Sequence, residues 1–255
     1  MISRHQPIKI LGGGLAGLTA AITLKHRGYD PIVYEKQQAC GLSRHGDFEG
    51  FETWNICQEP LNFLDHIGIS PTFKSKAVYS FTVHFDTFDP LKLNCSDPFF
   101  HLVKRGPEPG DIDQDFQNQA LASGVEIRFG YSPDADRMNV ISAGPAKANA
   151  YIRGFTFKSD HEDQVHLFMN TTISETAYAY LIIWNNVATL AAVFKKNDSK
   201  SWKSSQKIAK EVFQGLHNDI TDGATHYYNP HKVSTPSWAK ELQKTKVIGR
   251  HHFYK

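Results

Sequence analysis

The chain is poor in the features that announce several common functions. It has three cysteines, Cys40, Cys57 and Cys95, and no CxxC pair. An odd count without paired spacing gives no disulfide framework and no cysteine-based zinc site. With nothing at the start of the chain that reads as a secretion signal, this indicates a reducing, cytoplasmic setting. Long hydrophobic runs are lacking as well. The stretches YLIIW (180–184) and VATLAAVF (187–194) fall well short of the ~20 residues a spanning helix needs, so no transmembrane segment is expected. Charge of one sign is also missing: 28 Lys and Arg face 26 Asp and Glu, a net charge of +2. Without a dense basic cluster interleaved with aromatics, a nucleic-acid partner is not expected. The thirteen histidines fall in no standard ligand spacing, HEDQVH (161–166) and HH (251–252) included, so no metal centre is expected. No G-x-S-x-G occurs, which removes the usual signature of a serine nucleophile.

What is present is a hydrophobic fraction of 40%, ordinary for a core-forming globular chain, and one glycine-rich opening, IKILGGGLAGLTAAITLKHRGYDPIVYEK (8–36). Residues 8–11 are β-branched and aliphatic and run straight into glycines, the pattern of a short buried strand and a tight turn. Leu15 to Arg27 carries Leu15, Leu18, Ala21, Ile22 and Leu24 near helical spacing, with His26 and Arg27 in the last turn and Gly28 placed for a C-terminal cap. A second strand, 32–34, ends in Glu35.

Within this β-α-β unit Gly12, Gly14 and Gly17 fill G-x-G-x-x-G. The first serves the tight turn, the second the close approach of backbone to a pyrophosphate, the third close helix-to-strand packing. The helix start, Leu15 and Ala16, offers free N–H groups and a partial positive charge to phosphates. Glu35 lies 18 positions past Gly17 (35 − 17), where a carboxylate accepts bonds from ribose hydroxyls, with Lys36 beside it. A carboxylate there repels a 2′-phosphate, which argues for FAD or NAD and against NADP.

The following segment, 36–54, reads as a Gly-rich polar loop in which Arg44 is able to pair with a pyrophosphate. Together, GGGLAGLTAAITLKHRGYDPIVYEK and SRHGDFEGFETW resemble the N-terminal part of FAD-dependent oxidoreductases of the geranylgeranyl reductase type, relatives of aromatic hydroxylases and lycopene cyclases. Similar segments follow in order: HLVKRG (101–106), QALASGVEIRFG (119–130), VISAGPAKANAYIRGFTF (140–157) and AYAYLIIWNNVATLAAVF (177–194).

The resemblance implies an α/β protein, a Rossmann-like FAD-binding domain with an inserted antiparallel β-sheet substrate domain. On the sequence, 1–75 and 106–150 form the first, 76–105 and 151–230 the second, and 231–255 a tail. The stretch 77–86 alternates as one half-buried strand, and 111–125 reads as a helix with Phe116, Ala120 and Leu121 on one side and Gly124 past its end. Two apolar runs meet around Asn185-Asn186 as a hairpin, and 204–216 is an amphipathic helix. FAD is the implied cofactor, a small apolar alkene such as a polyprenyl chain the implied substrate, and NAD(P)H or a ferredoxin-like donor the implied reductant; a lipid substrate is compatible with peripheral membrane contact. Tyr79, His84 and Tyr180 are candidates for proton transfer, each with a structural role as the alternative, and the catalytic residues are unassigned. Cys40 and Cys57 read as small buried residues.

Two departures from the family's pattern stand out. Where many relatives carry Asp-Gly at the end of the late strand, this chain has Ala143 and Gly144; the glycine is kept and the acid is not. The later strand-loop-helix that covers the pyrophosphate in complete members has no counterpart before the chain ends. The expectation is a C-terminally shortened relative, with a nucleotide-binding remnant without redox turnover as the alternative to an active enzyme. An NAD-linked dehydrogenase is a third reading.

Overall fold

The computed structural model describes residues 6–44, 46–52, 58–85, 88–144, 150–159, 161–169 and 178–195. In chain order these form β1 (Ile8–Leu11), α1 (Leu15–His26), β2 (Pro31–Glu35), β3 (Phe48–Glu52), α2 (Pro60–His66), β4 (Ser75–Val78), β5 (Ser80–Phe85), β6 (Leu91–Asn94) and β7 (Phe100–Lys104). Then come α3 (Ile112–Ala122), β8 (Glu126–Phe129), β9 (Val140–Ile141), β10 (Ala150–Lys158), β11 (Gln164–Met169), β12 (Ala179–Trp184) and β13 (Val187–Lys195). They divide into two units, Met1–Val78 with Pro98–Ala146, and Tyr79–Asp97 with Lys147–Lys255. The division differs from the sequence-based one at residues 76–78, 98–105 and 147–150; β4 and β7 fall in the first unit because β7 pairs with both β3 and β4. The helix expected over 204–216, the tail 231–255, Cys57 and His251-His252 lie outside the described residues.

The first unit is built on a parallel sheet in the order β8-β2-β1-β9. Ile8, Ile10, Leu11, Val33 and Tyr34 are all buried, an apolar set broken in β1 only by half-buried Lys9, as suits a covered parallel sheet. α1 packs Leu18, Ala21 and Ile22 into the same core, and α3 adds Ile112, Phe116 and Ala120. Leu121, expected on that face, is 47% exposed: one position past Ala120 turns the side chain out. Gly124 has φ +80°, ending α3 in the left-handed conformation expected of the residue just past a helix.

Three readings of the sequence are corrected. The 36–54 loop contains β3, which pairs antiparallel with β7 from Phe48↔Lys104 to Glu52↔Phe100. The strand read over 77–86 is two strands broken at Tyr79, and they belong to different sheets: β4 pairs with β7, β5 with β6 and β11. The late strand before Gly144 shrinks to Val140–Ile141.

The second unit holds a six-stranded sheet in the order β10-β13-β12-β11-β5-β6. Among the described residues all its pairings are antiparallel except β5 with β11. β12 and β13 form the expected hairpin, with Trp184 opposite Val187 and both intervening residues at positive φ, Asn185 at 51° and Asn186 at 61°. That is the geometry of a type I′ turn, whose twist matches the strands it joins. Leu181, Ile183, Ala188 and Leu190 share one face of it and are buried.

Candidate functional site

β1 delivers the chain into three glycines, and their surroundings differ. Gly12 has φ +99°, and a Cβ there would sit 2.7 Å from the Ser142 carbonyl oxygen. At Gly17 a Cβ would stand 2.0 Å from the Gly12 carbonyl oxygen and 2.5 Å from Ser142 Oγ, so α1 starts as close to β1 as a glycine allows. Gly14 is the opposite case: nothing lies within 4 Å of a Cβ placed on it. Gly14 is also the N-cap of α1, no side chain caps it, and the first turn, with Leu15 and Ala16, carries no acid. At the far end Lys25 and His26 complement the helix dipole. N–H groups at a positive helix end, beside open space and with no acid in the first turn, are what a phosphate needs.

Glu35 closes the other side of the turn. Its Oε2 accepts from the Gly13 N–H at 2.8 Å and its Oε1 from the Gln37 N–H at 2.8 Å. Two bonds leave lone pairs on both oxygens, so the carboxylate is oriented and still able to accept from a ribose. Gly13, which the fingerprint spacing passes over, is also closely packed, since a Cβ would meet Cys40 Sγ at 2.9 Å and the Glu35 side chain at 3.0 Å. The unbroken run of three glycines is the signal that could have found it. Ser142 gave no signal, yet its Oγ donates to the carbonyls of Leu11 and Gly12 at 2.8 and 3.0 Å. Burial and the nearby charges of Glu35 and Asp113 push the Cys40 thiol up to about 12, so it is an unreactive packing residue beside the turn. Lys36 is exposed; Gly144, at φ +78°, is exposed with open space around it.

Arg44 sits in a network that sequence reasoning missed. Its Nη1 is 3.1 Å from Glu49 Oε1, and the other oxygen of Glu49 is 2.5 Å from Arg105 Nη1. Arg105 is buried and forks onto Asp113, with Nε to Oδ2 and Nη2 to Oδ1 both at 2.8 Å. Burial works against the Arg105 charge, but the bonds and charges of Asp113 and Glu49 outweigh it and hold the guanidinium above its ordinary pKa. Asp113 Oδ2 also accepts from the Gly106 N–H at 3.0 Å.

In the second unit Ser80, Thr82, Lys92, His161 and His166 line a groove of ≈ 480 Å³. His84 Nε2 and His166 Nδ1 are 2.9 Å apart, and His84 stacks on Phe168 with ring centroids at 4.7 Å; burial lowers the His84 pKa. Tyr79 is 49% exposed. Among the described residues no group of three or more His, Cys, Asp or Glu could hold a metal ion, and no helix is long and apolar enough to cross a membrane.

Comparison with known proteins separates the two ends of the chain. Residues 10–54 match the model of the NAD(P)-binding Rossmann-like domain, and residues 154–254 match that of the Cell Wall Hydrolase family. The second match begins in β10 and runs past the described residues. Over 40 residues, 15% of the chain, it is 55% identical to the NAD-dependent dihydropyrimidine dehydrogenase subunit PreT homolog of Salmonella typhi, of which it covers 10%. Over 44 residues, 17% of the chain, it is 39% identical to an uncharacterized protein in the nifH2 3′ region of Methanothermococcus thermolithotrophicus, covering 43% of it. The structural likeness is broader. A geranylgeranyl bacteriochlorophyll reductase-like protein from Thermoplasma acidophilum superposes with TM-score 0.62 at 14% identity, over 85% of this chain and 63% of that one. A tetrameric form of 2-methyl-3-hydroxypyridine-5-carboxylic acid oxygenase gives 0.57 at 16% identity, over 85% and 66%. CtdE in complex with FAD gives 0.53 at 14%, over 85% and 70%. The parallel sheet with its glycine turn and the six-stranded sheet together have the fold shared by geranylgeranyl reductase-like proteins and other FAD-dependent oxidoreductases.

Proposed function

We propose that the protein is an FAD-dependent oxidoreductase acting on a small apolar substrate, an isoprenoid-like alkene in the sharper form of the reading. The observation that carries it is the uncapped start of α1 at Gly14, open to a ligand, with Glu35 fixed by the Gly13 N–H at the adjoining strand end. When bound, FAD supplies the redox chemistry, hydride arriving from a reductant and leaving for the substrate. The chain's own residues bind and orient. Gly12 and Gly17 bring backbone and helix close, Gly14, Leu15 and Ala16 present N–H groups to the pyrophosphate, and Glu35 accepts from the adenosine ribose, with Lys36 exposed beside it. Arg44 pairs with the pyrophosphate from the neighbouring loop, and Gly144 lets the strand end at β9 approach the cofactor. NAD(P)H or a ferredoxin-like protein is the electron donor in this reading. Support for the alkene comes from the name of the Thermoplasma neighbour and from the aromatic residues Phe81 and Phe168 in the second unit.

An absorbance spectrum after incubation with excess FAD and removal of the free cofactor tests the reading. Retained flavin bands, bleached by a reductant and restored by an isoprenoid alkene, are expected. Retained flavin without turnover by any donor identifies a binding remnant instead, and a colourless protein overturns the assignment.

A second reading rests on the match of 154–254 to the cell wall hydrolase model. Of the described residues in that span only Glu162 and Asp163 carry carboxylates, adjacent in sequence, and Asp163 is bonded to the Asn185 N–H at 2.8 Å. Release of soluble fragments from isolated cell walls would favour this reading.

A further inference from the structure

The Arg44 site has a supporting carboxylate that the cofactor reading does not use. Glu49 lies on β3, whose register with β7 sets Glu49 opposite Val103, two residues before Arg105. One Glu49 oxygen meets Arg105 and the other meets Arg44. The two arginines are not equivalent. Arg105 is locked on its far side by the bidentate bond to Asp113, so its position is set by α3 and the core. Arg44 is partly exposed, and Glu49 is its ion-pair partner. The loop between is pinned against the glycine turn at one end. Cys40 packs on Gly13, the Cys40 N–H donates to Gln117 Oε1 at 2.8 Å, and Gly41 lies so close to Gly106 and Asp113 that a Cβ would sit 2.7 Å from each. Asp113, Arg105, Glu49 and Arg44 therefore form a relay of alternating charge from the buried core to a partly exposed guanidinium on the loop that starts beside Gly13.

We infer that Glu49 is a positioning residue for the dinucleotide site: anchored by Arg105 and Asp113, its carboxylate holds the Arg44 guanidinium in place for the cofactor's pyrophosphate. This rests on the FAD reading above and names what prepares that site. A long arginine side chain loses considerable rotamer freedom when it is fixed on a ligand, and a carboxylate that fixes it beforehand lowers that loss on binding.

The test is a double-mutant cycle on FAD affinity in the full chain, read by quenching of flavin fluorescence, with wild type, Arg44→Ala, Glu49→Gln and the double variant. Arg44→Ala removes a charge-assisted bond and is expected to weaken binding about tenfold or more. Glu49→Gln, with Arg44 intact, is expected to lose a large part of the same factor, and in the double variant no further loss should appear beyond that of Arg44→Ala. Such coupling is something a merely structural role would not produce. Glu49→Asp guards against a folding failure, since it keeps a carboxylate for Arg105 while drawing one methylene back from Arg44; its loss of affinity should likewise vanish in the Arg44→Ala background. Unchanged or tighter binding in Glu49→Gln, or losses that multiply in the double variant, would overturn the inference while leaving the FAD reading intact. Failure of the wild-type chain to bind FAD would overturn that reading, and the inference with it.

Discussion

The starts of α1 and α3 are built from the same backbone and end in opposite chemistry. α3 carries Asp113 and Asp115 in its first turn, and Asp113 is consumed by Arg105 and the Gly106 N–H. α1 begins at an uncapped glycine, with no acid in its first turn and open space at Gly14. Both ends have the unsatisfied N–H groups and positive potential common to all helices. The first turn of α3 carries its own acids; that of α1 carries none, and the carboxylate of Glu35 is bonded to the Gly13 N–H just before the helix. The difference indicates which helix end is structural and which is kept for a ligand, a distinction that neither a propensity scale nor a hydrophobic pattern expresses.

The largest expected effect lies on the self-satisfied side. Asp113→Ala would leave the buried Arg105 guanidinium with one carboxylate instead of two, and breaking a buried pair in this way costs about 3–5 kcal/mol. Denaturant unfolding should show it; a loss under 1 kcal/mol would mean that water or Glu49 takes over the charge. Next comes a contrast between two glycines of one motif. Gly17→Ala forces a methyl group against the Gly12 carbonyl and should cost about 1–3 kcal/mol of stability or more. Gly14→Ala meets no atom of the protein and should leave the melting temperature nearly unchanged while impairing FAD binding, and Gly14→Val should abolish binding. Equal melting shifts for the two alanine variants would erase the comparison.

A further effect appears only at alkaline pH. The folded Cys40 thiol is pushed from 9.0 up to about 12, so above pH 9 the unfolded chain has released a proton that the folded chain still holds. Stability should therefore be unaffected by this group below pH 9 and fall as pH rises from there towards 12, with a slope of no more than about 1.4 kcal/mol per pH unit. Subtracting the profile of Cys40→Ala isolates it; identical profiles would show that the thiol is not shielded. The smallest change is in the second unit. Asn185→Ala places an alanine at positive φ in the β12–β13 turn and should cost about 1 kcal/mol by thermal unfolding.

These cases also show what could be read from the sequence. β1, α1, β2 and the β12–β13 hairpin were legible because their signals are local: an apolar run before glycines, a 3.6-residue period, two asparagines between apolar stretches. β3 was not, since FEGFE carries a glycine and two acids, and only β7, some fifty residues on, makes it a strand. The break at Tyr79 was invisible for a related reason. Alternation continues through it, and what changes is the partner sheet. At the site, Gly12, Gly14 and Gly17 with Glu35 announced a turn by spacing alone. The roles of Glu49 and Ser142 depend on contacts across 56 and 130 residues of chain, and even Asp113, only 8 residues from Arg105, gains its role from a bidentate pairing that no local pattern encodes.

The single parallel pairing in the six-stranded sheet has a consequence for how the protein is made. β5 gains its inner neighbour only when β11 has been synthesised, about 80 residues later, with the whole return segment of the first unit in between. At usual elongation rates that delay is roughly 4 to 16 s. During it the β5–β6 hairpin leaves the ribosome with an open row of N–H and C=O groups that a neighbouring nascent chain could pair with. Vectorial synthesis therefore completes the glycine turn and its sheet first, and the point at which β11 arrives sets how long that edge stays open.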